Sequence, residues 1–197
     1  AKPMTGVWDT AWWTERLDRA ILHNVPYQGI IEEPDFLWER MNKTSGKVLQ
    51  ALFKFYRPSS VLDAGCGLGN LCEYVPPSIK YVGVDFTPKF IDLARKEYPS
   101  REFHIVNCLD MSMFEDGVFD LVFVRGMEGT VRVGYSDEAW MQMQAELLRV
   151  SWSVLATLSM YQPHRYDIIN KNGDRIMCTI RLSEEEMNLI QEMEKKI

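Results

Sequence analysis

The sequence predicts an α/β protein: an open, mostly parallel, doubly wound sheet under an N-terminal helical cap. Two observations carry that prediction. Four short apolar runs, at 60–64, 81–84, 103–106 and 119–124, alternate with helical stretches; near-continuous apolarity over so few residues is what a strand covered by helices on both faces requires. The first 58 residues contain no such run, and they read as helical at 10–22 and 46–56 with Trp8, Trp12, Trp13 and Trp38 spread among them.

Each later element has its own signal. Thr87-Pro88 offers an N-cap and a first-turn proline for a helix carrying Phe90, Ile91, Ala94 and Tyr98, which Pro99 ends. Residues 136–150 place Trp140, Met143, Leu147 and Val150 three and four apart, the spacing of one helix face. Residues 152–161 contain no Gly, Pro, Asn or Asp and read as a fifth strand. Segments 166–170 and 174–182 flank Lys171-Asn172-Gly173, whose Asn-Gly signals a hairpin. Ser183-Glu184-Glu185-Glu186 is then a capping box that opens a last helix. The division is an N-terminal helical extension over 1–58 and an α/β domain over 59–197, together one structural unit.

Composition narrows the classes of function. The 22 Lys and Arg against 28 Asp and Glu leave a charge of −6, the wrong sign for releasing counterions from a phosphate backbone, so nucleic acid is disfavoured as a partner. Cys66, Cys72, Cys108 and Cys178 form no C-x-x-C pair and have no His at ligand spacing, so neither a metal site nor a disulfide framework is expected, in keeping with a cytoplasmic location. No apolar run reaches the roughly 18 residues a membrane span needs, and no membrane partner is expected. The start lacks a signal-peptide layout, and Ala1-Lys2-Pro3 without a leading Met suggests processing.

The informative stretch is Val61-Leu62-Asp63-Ala64-Gly65-Cys66-Gly67-Leu68-Gly69-Asn70. A strand that ends in an acid and runs into three alternating glycines turns sharply and lets a ligand approach the backbone. A dinucleotide fingerprint would place its third glycine where Asn70 stands, which weakens pyrophosphate recognition. Asp85 ends the second strand 20 residues after Gly65, where doubly wound folds place the carboxylate that accepts from ribose hydroxyls. Asp110 follows the third strand in Asn107-Cys108-Leu109-Asp110-Met111, and Asp120 opens the fourth.

These elements, with Gly83-Val84-Asp85-Phe86-Thr87-Pro88, resemble the class I S-adenosylmethionine-dependent methyltransferases over residues 60–161. The resemblance implies a Rossmann-like methyltransferase fold and S-adenosyl-L-methionine as cofactor. It implies that Gly65 and Gly67 line the methionine part, that Asp63 supports the ammonium and that Asp85 takes both ribose hydroxyls. Asp110 would accept from the adenine amino group, the Met111 backbone would meet a ring nitrogen, and Phe86 and Met111 would sandwich the base. Arg125, at the end of the fourth strand, joins the cofactor-binding set.

Methyl transfer from a sulfonium needs no universal base, because alignment and exclusion of water supply about 7–11 kcal/mol. The acceptor is chosen by whatever faces the sulfonium: the segment 125–135, expected as a glycine-rich loop, the segment after the fifth strand, and the cap. Glu128 and His164 are the candidate catalytic bases; a solvated loop carboxylate is the plainer reading of Glu128. His23 and His104 read as structural. Trp12 and Trp13 are adjacent and cannot both face one core, so one is expected to cover the cofactor. Motifs for nucleic-acid base methylation are missing, and a small-molecule acceptor leads a protein side chain. The rival functions are a non-catalytic S-adenosylmethionine-binding partner subunit or regulator, and an aminopropyltransferase or lyase on the same cofactor. At the C-terminus the hairpin either stands in for the antiparallel strand pair that usually ends such sheets, or the sheet stops early and leaves an edge for a partner chain.

Overall fold

The computed structural model describes residues 9–22, 35–159 and 162–194. Seven strands, β1 (Ser60–Ala64), β2 (Lys80–Asp85), β3 (Glu102–Ile105), β4 (Phe119–Arg125), β5 (Ser151–Leu158), β6 (Arg165–Asn170) and β7 (Arg175–Thr179), form one sheet in the order β3-β2-β1-β4-β5-β6-β7. The first five run parallel; β6 lies antiparallel to β5 and β7 antiparallel to β6. The hairpin thus supplies the closing antiparallel pair, and the expected doubly wound, mostly parallel sheet is observed. Its turn works as the Asn-Gly signal predicts: Gly173 adopts φ 84° and its N–H donates to the Asn170 carbonyl at 3.0 Å.

The core lies on both faces because the strands alternate. Val61, Leu121 and Phe123 face one helical layer, whereas Leu62, Val122 and Val124 face the other. On the first face, helix α2 (Asp35–Tyr56) buries Val48, Leu49, Leu52 and Phe53, joined by Ile91 and Ala94 of helix α3 (Pro88–Glu97). On the second, helix α5 (Asp137–Val150) buries Trp140, Met143 and Leu147, with Val131 of helix α4 (Met127–Gly134). Ser136 caps α5 through its hydroxyl, which accepts from the Ala139 N–H at 3.0 Å. Helix α6 (Glu184–Glu194) opens on the predicted capping box, Ser183 N–H to Glu186 at 2.9 Å and Glu186 N–H to Ser183 Oγ at 3.2 Å.

Three expectations need correction. Helix α2 begins 11 residues before Gly46 and packs in the sheet's own layer, which leaves helix α1 (Thr10–Leu22) as the cap among the described residues. Gly46 is an interior residue there because the Tyr74 ring occupies the space its Cβ would need. Residues 127–134 form a helix and not the predicted loop: Gly126, at φ 70°, turns the chain, and Val131 anchors the helix at 1% exposure. Thr87 has the extended backbone of a cap but makes no side-chain cap bond; its N–H instead donates to Asp85. Trp8, His23, Tyr161 and the Trp38 side chain lie outside the described residues. His104 pairs with Glu102 at 2.7 Å on the edge strand β3, as a structural histidine would.

Among the described residues no cluster of His, Cys, Asp or Glu could hold a metal, and no helix is long and apolar enough to cross a membrane.

Candidate active site

The chain runs outward from β1 to β3 and returns to β4 beside β1, so the strand order reverses between β1 and β4. Ligands bind doubly wound sheets at the carboxyl ends of the strands beside such a reversal. A cavity of about 780 Å³ opens there, lined on one side by Asp63, Gly65, Gly67, Asp85, Phe86 and Arg125.

The turn after β1 shapes this side. Gly65 adopts φ 68°, and a Cβ on it would stand 2.7 Å from the Met127 sulfur. Gly67 adopts φ 54° and turns its N–H onto Asp85 Oδ2 at 3.1 Å, while Asp85 Oδ1 accepts from Thr87 N–H at 2.9 Å. Burial pushes the Asp85 carboxyl upward, against those two amides. Asp63, at 2% exposure, accepts from the Tyr81 hydroxyl at 2.7 Å. Burial raises its pKa to about 7, with Tyr81 and Arg125 pulling the other way. Arg125 donates to Asn42 Oδ1 at 2.6 Å, and burial lowers its pKa to about 10 although Asp63 opposes this. Two buried acids and one half-buried arginine thus line one end of the cavity.

Asp110 and Met111 stand elsewhere. Asp110 is exposed, away from the cavity lining, and accepts from Ser112 N–H at 3.1 Å. Met111 is fully buried in the core, and its N–H is already given to Glu146 Oε2 at 2.8 Å. Neither can meet an adenine in this arrangement. Asn107 and Cys108, directly after β3, line the cavity in their place.

Residues 61–152 match the family model described as a methyltransferase domain. Over that stretch the chain is similar to methyltransferase domains. Solved structures of low identity share its fold. The PH0226 protein from Pyrococcus horikoshii is 19% identical, with a TM-score of 0.55 over 88% of this chain and 88% of that one. A candidate S-adenosyl-L-methionine-dependent methyltransferase from Methanococcus maripaludis is 13% identical, with a TM-score of 0.52 over 77% of this chain and 64% of that one. The YcgJ protein from Bacillus subtilis is 19% identical, with a TM-score of 0.51 over 59% of this chain and 50% of that one. This chain spans half or less of the first structures it matches, between 42% and 50% of their lengths.

The cavity continues past the glycine turn to a second side, walled by α4, the end of β5 and the β6–β7 hairpin. Glu128 lines it, but both its oxygens are engaged at 3.1 Å by Arg175 and one also by Arg132 at 3.2 Å. Both Glu128 oxygens are thus taken up by arginine side chains. His164 lies in the turn before β6, outside the cavity lining, with its carbonyl accepting from Ile180 N–H. Of the two candidate bases, Glu128 lines the cavity and His164 does not. Trp13 does line the cavity, its ring 6.3 Å from that of Phe90, whereas Trp12 packs edge-on against Trp13 under Arg16. The pair divides as adjacency requires. The sequence reading missed Asn107, Cys108 and Arg165. The first two carried a positional signal, being the first residues past a strand; Arg165 carried none.

Proposed function

We propose that this methyltransferase domain binds S-adenosyl-L-methionine across the carboxyl ends of β1, β2 and β4 and transfers its methyl group to a small molecule in the rest of the cavity. The observation that carries this is Asp85: a buried carboxylate on the cavity wall, beside a turn whose Gly65 leaves no room for a side chain. The residues present fit the cofactor. Asp85 would accept from the ribose hydroxyls, Asp63 from the ammonium, and Phe86 would cover the base, with Asn107 and Cys108 lining the same cavity. Arg125, tied to Asn42, keeps positive charge behind Asp63.

Bound there, the cofactor would supply an electrophilic methyl group, its carbon–sulfur bond breaking with the electron pair left on sulfur as the acceptor's bond forms. The chain's part is alignment. The glycine turn fixes the donor, while α4 and Trp13 exclude water. With Glu128 bound by two arginines, no step is assigned to it as a base. A volume of about 780 Å³ accommodates a nucleoside and a small acceptor together.

Incubation with S-adenosylmethionine and a metabolite mixture, followed by mass spectrometry, tests the proposal. S-adenosylhomocysteine and one metabolite carrying an added methyl group are expected. Methylthioadenosine would point to aminopropyl transfer or lyase chemistry, and binding without turnover to a regulator or partner subunit; either would overturn it.

A further inference from the structure

Three arginines in different surroundings stand at the cavity's second side: Arg132 and Arg165 line it, and Arg175 reaches the lining residues Glu128 and Asp167. Along β6, Arg165, Asp167 and Ile169 share one face by alternation, and β7 places Met177 opposite Asp167 and Arg175 opposite Ile169. Arg175 is matched to carboxylates: it reaches both Glu128 oxygens and Asp167 Oδ2, each at 3.1 Å. Arg132 is held between Glu128 at 3.2 Å and Asp137 at 2.5 Å. Arg165 differs. It is half-buried and lines the cavity, and its hydrogen-bond partners among the described residues are neutral: Gln162 Oε1 at 2.6 Å and the Met177 thioether. A guanidinium carries five donors in a planar fork that fits a carboxylate. Arg165 therefore presents one positive charge, with donors to spare, at the end of the cavity away from Asp63 and Asp85.

We propose that Arg165 binds the carboxylate of the methyl acceptor, and that the acceptor is a small carboxylic acid with an apolar body. This rests on the methyl-transfer reading above and names its substrate class. One guanidinium without a carboxylate partner balances one negative charge, which favours a carboxylate over a phosphate dianion. Met127, Tyr135, Tyr166 and Met177 also line the cavity and suit hydrocarbon, while the second guanidinium of this side, Arg132, is already matched to Glu128 and Asp137. With the chain as a whole at −6, this local cation is what draws an anion to the site.

Ligand-observed NMR titrations of the full chain with benzoate, benzamide and phenyl phosphate, with and without S-adenosylhomocysteine, test the assignment. Benzoate is expected to bind saturably. R165Q weakens it at least tenfold, R165K weakens it less because the charge remains without the fork, and benzamide binds more weakly than benzoate to the wild type. Equal benzoate affinity in wild type and R165Q overturns the proposal, as does phenyl phosphate binding more tightly than benzoate. If R165Q loses its cooperative melt, R165K decides by the same comparison: equal benzoate affinity in R165K and wild type overturns the fork. Calorimetry with S-adenosylhomocysteine separates the two readings. Its affinity is expected to be unchanged by R165Q; failure to bind the wild type, with benzoate still bound through Arg165, overturns the methyl-transfer reading alone.

Discussion

Asp85→Ala removes the acceptor for Gly67 and Thr87 N–H along with the one assigned to the ribose. Its affinity for S-adenosylhomocysteine, measured by calorimetry, is expected to fall at least about tenfold, each tenfold step being about 1.4 kcal/mol. Asp85→Asn, which keeps one acceptor oxygen, is expected to lose less. Asp63 yields a pH signature. It ionises near 3.8 in the unfolded chain and holds its proton to about 7 in the fold, so the stability it contributes is full below about pH 4 and is lost as pH rises to about 7. The upper bound is about 4 kcal/mol. Chemical denaturation across that window is expected to show a decline that Asp63→Asn lacks, while affinity for S-adenosylhomocysteine rises through pH 7 as the carboxylate forms to meet an ammonium. At this scale the site was partly legible in the sequence. Asp63, Gly65, Gly67 and Asp85 were readable because a turn and a strand end fix where their atoms go. Asp110 was misplaced because a motif counts residues and cannot tell which side of a loop a carboxylate leaves by; the N–H of Met111 was misassigned because its partner, Glu146, lies 35 residues away.

Helix α1 is lightly held. Leu17 is its one buried residue, and Asp18 pairs with Lys89 of α3. Trp13 nevertheless reaches the cavity wall, so Trp13→Ala is expected to weaken S-adenosylhomocysteine binding by about three- to tenfold, the scale of one aromatic contact, with little change in melting temperature. A fluorescence titration checks it: ligand should quench the wild type and leave the variant's emission unchanged. The strands were read to within a residue or two at most ends, since helices on both faces force unbroken apolarity on them. Helix α4 was not legible, because Gly126, Gly129 and Gly134 suggested a loop where burial of Val131 and the α4–α5 packing hold a helix. Burial outweighed intrinsic propensity there.

Over the whole molecule, ligand binding and stability are linked. S-adenosylhomocysteine at 100 times its Kd should add about 2.7 kcal/mol, which for a domain of this size raises the melting temperature by roughly 5–10 °C. A zero shift in scanning calorimetry at millimolar ligand would sink the cofactor assignment. The reversal of strand order has a further consequence, for the order of events in synthesis and refolding. The β1–β4 pairing joins Val61 to Leu121, about 60 residues apart, so the two half-sheets, β1–β3 and β4–β7, are sewn together by the strand pairing of greatest sequence separation. The binding cavity straddles that seam. A nascent chain can form neither the seam nor the cavity until β4 has left the ribosome, and a refolding chain should regain far-ultraviolet dichroism before it regains ligand. In stopped-flow refolding, the capacity to bind S-adenosylhomocysteine is expected to return only in the slowest phase, the one in which the halves dock.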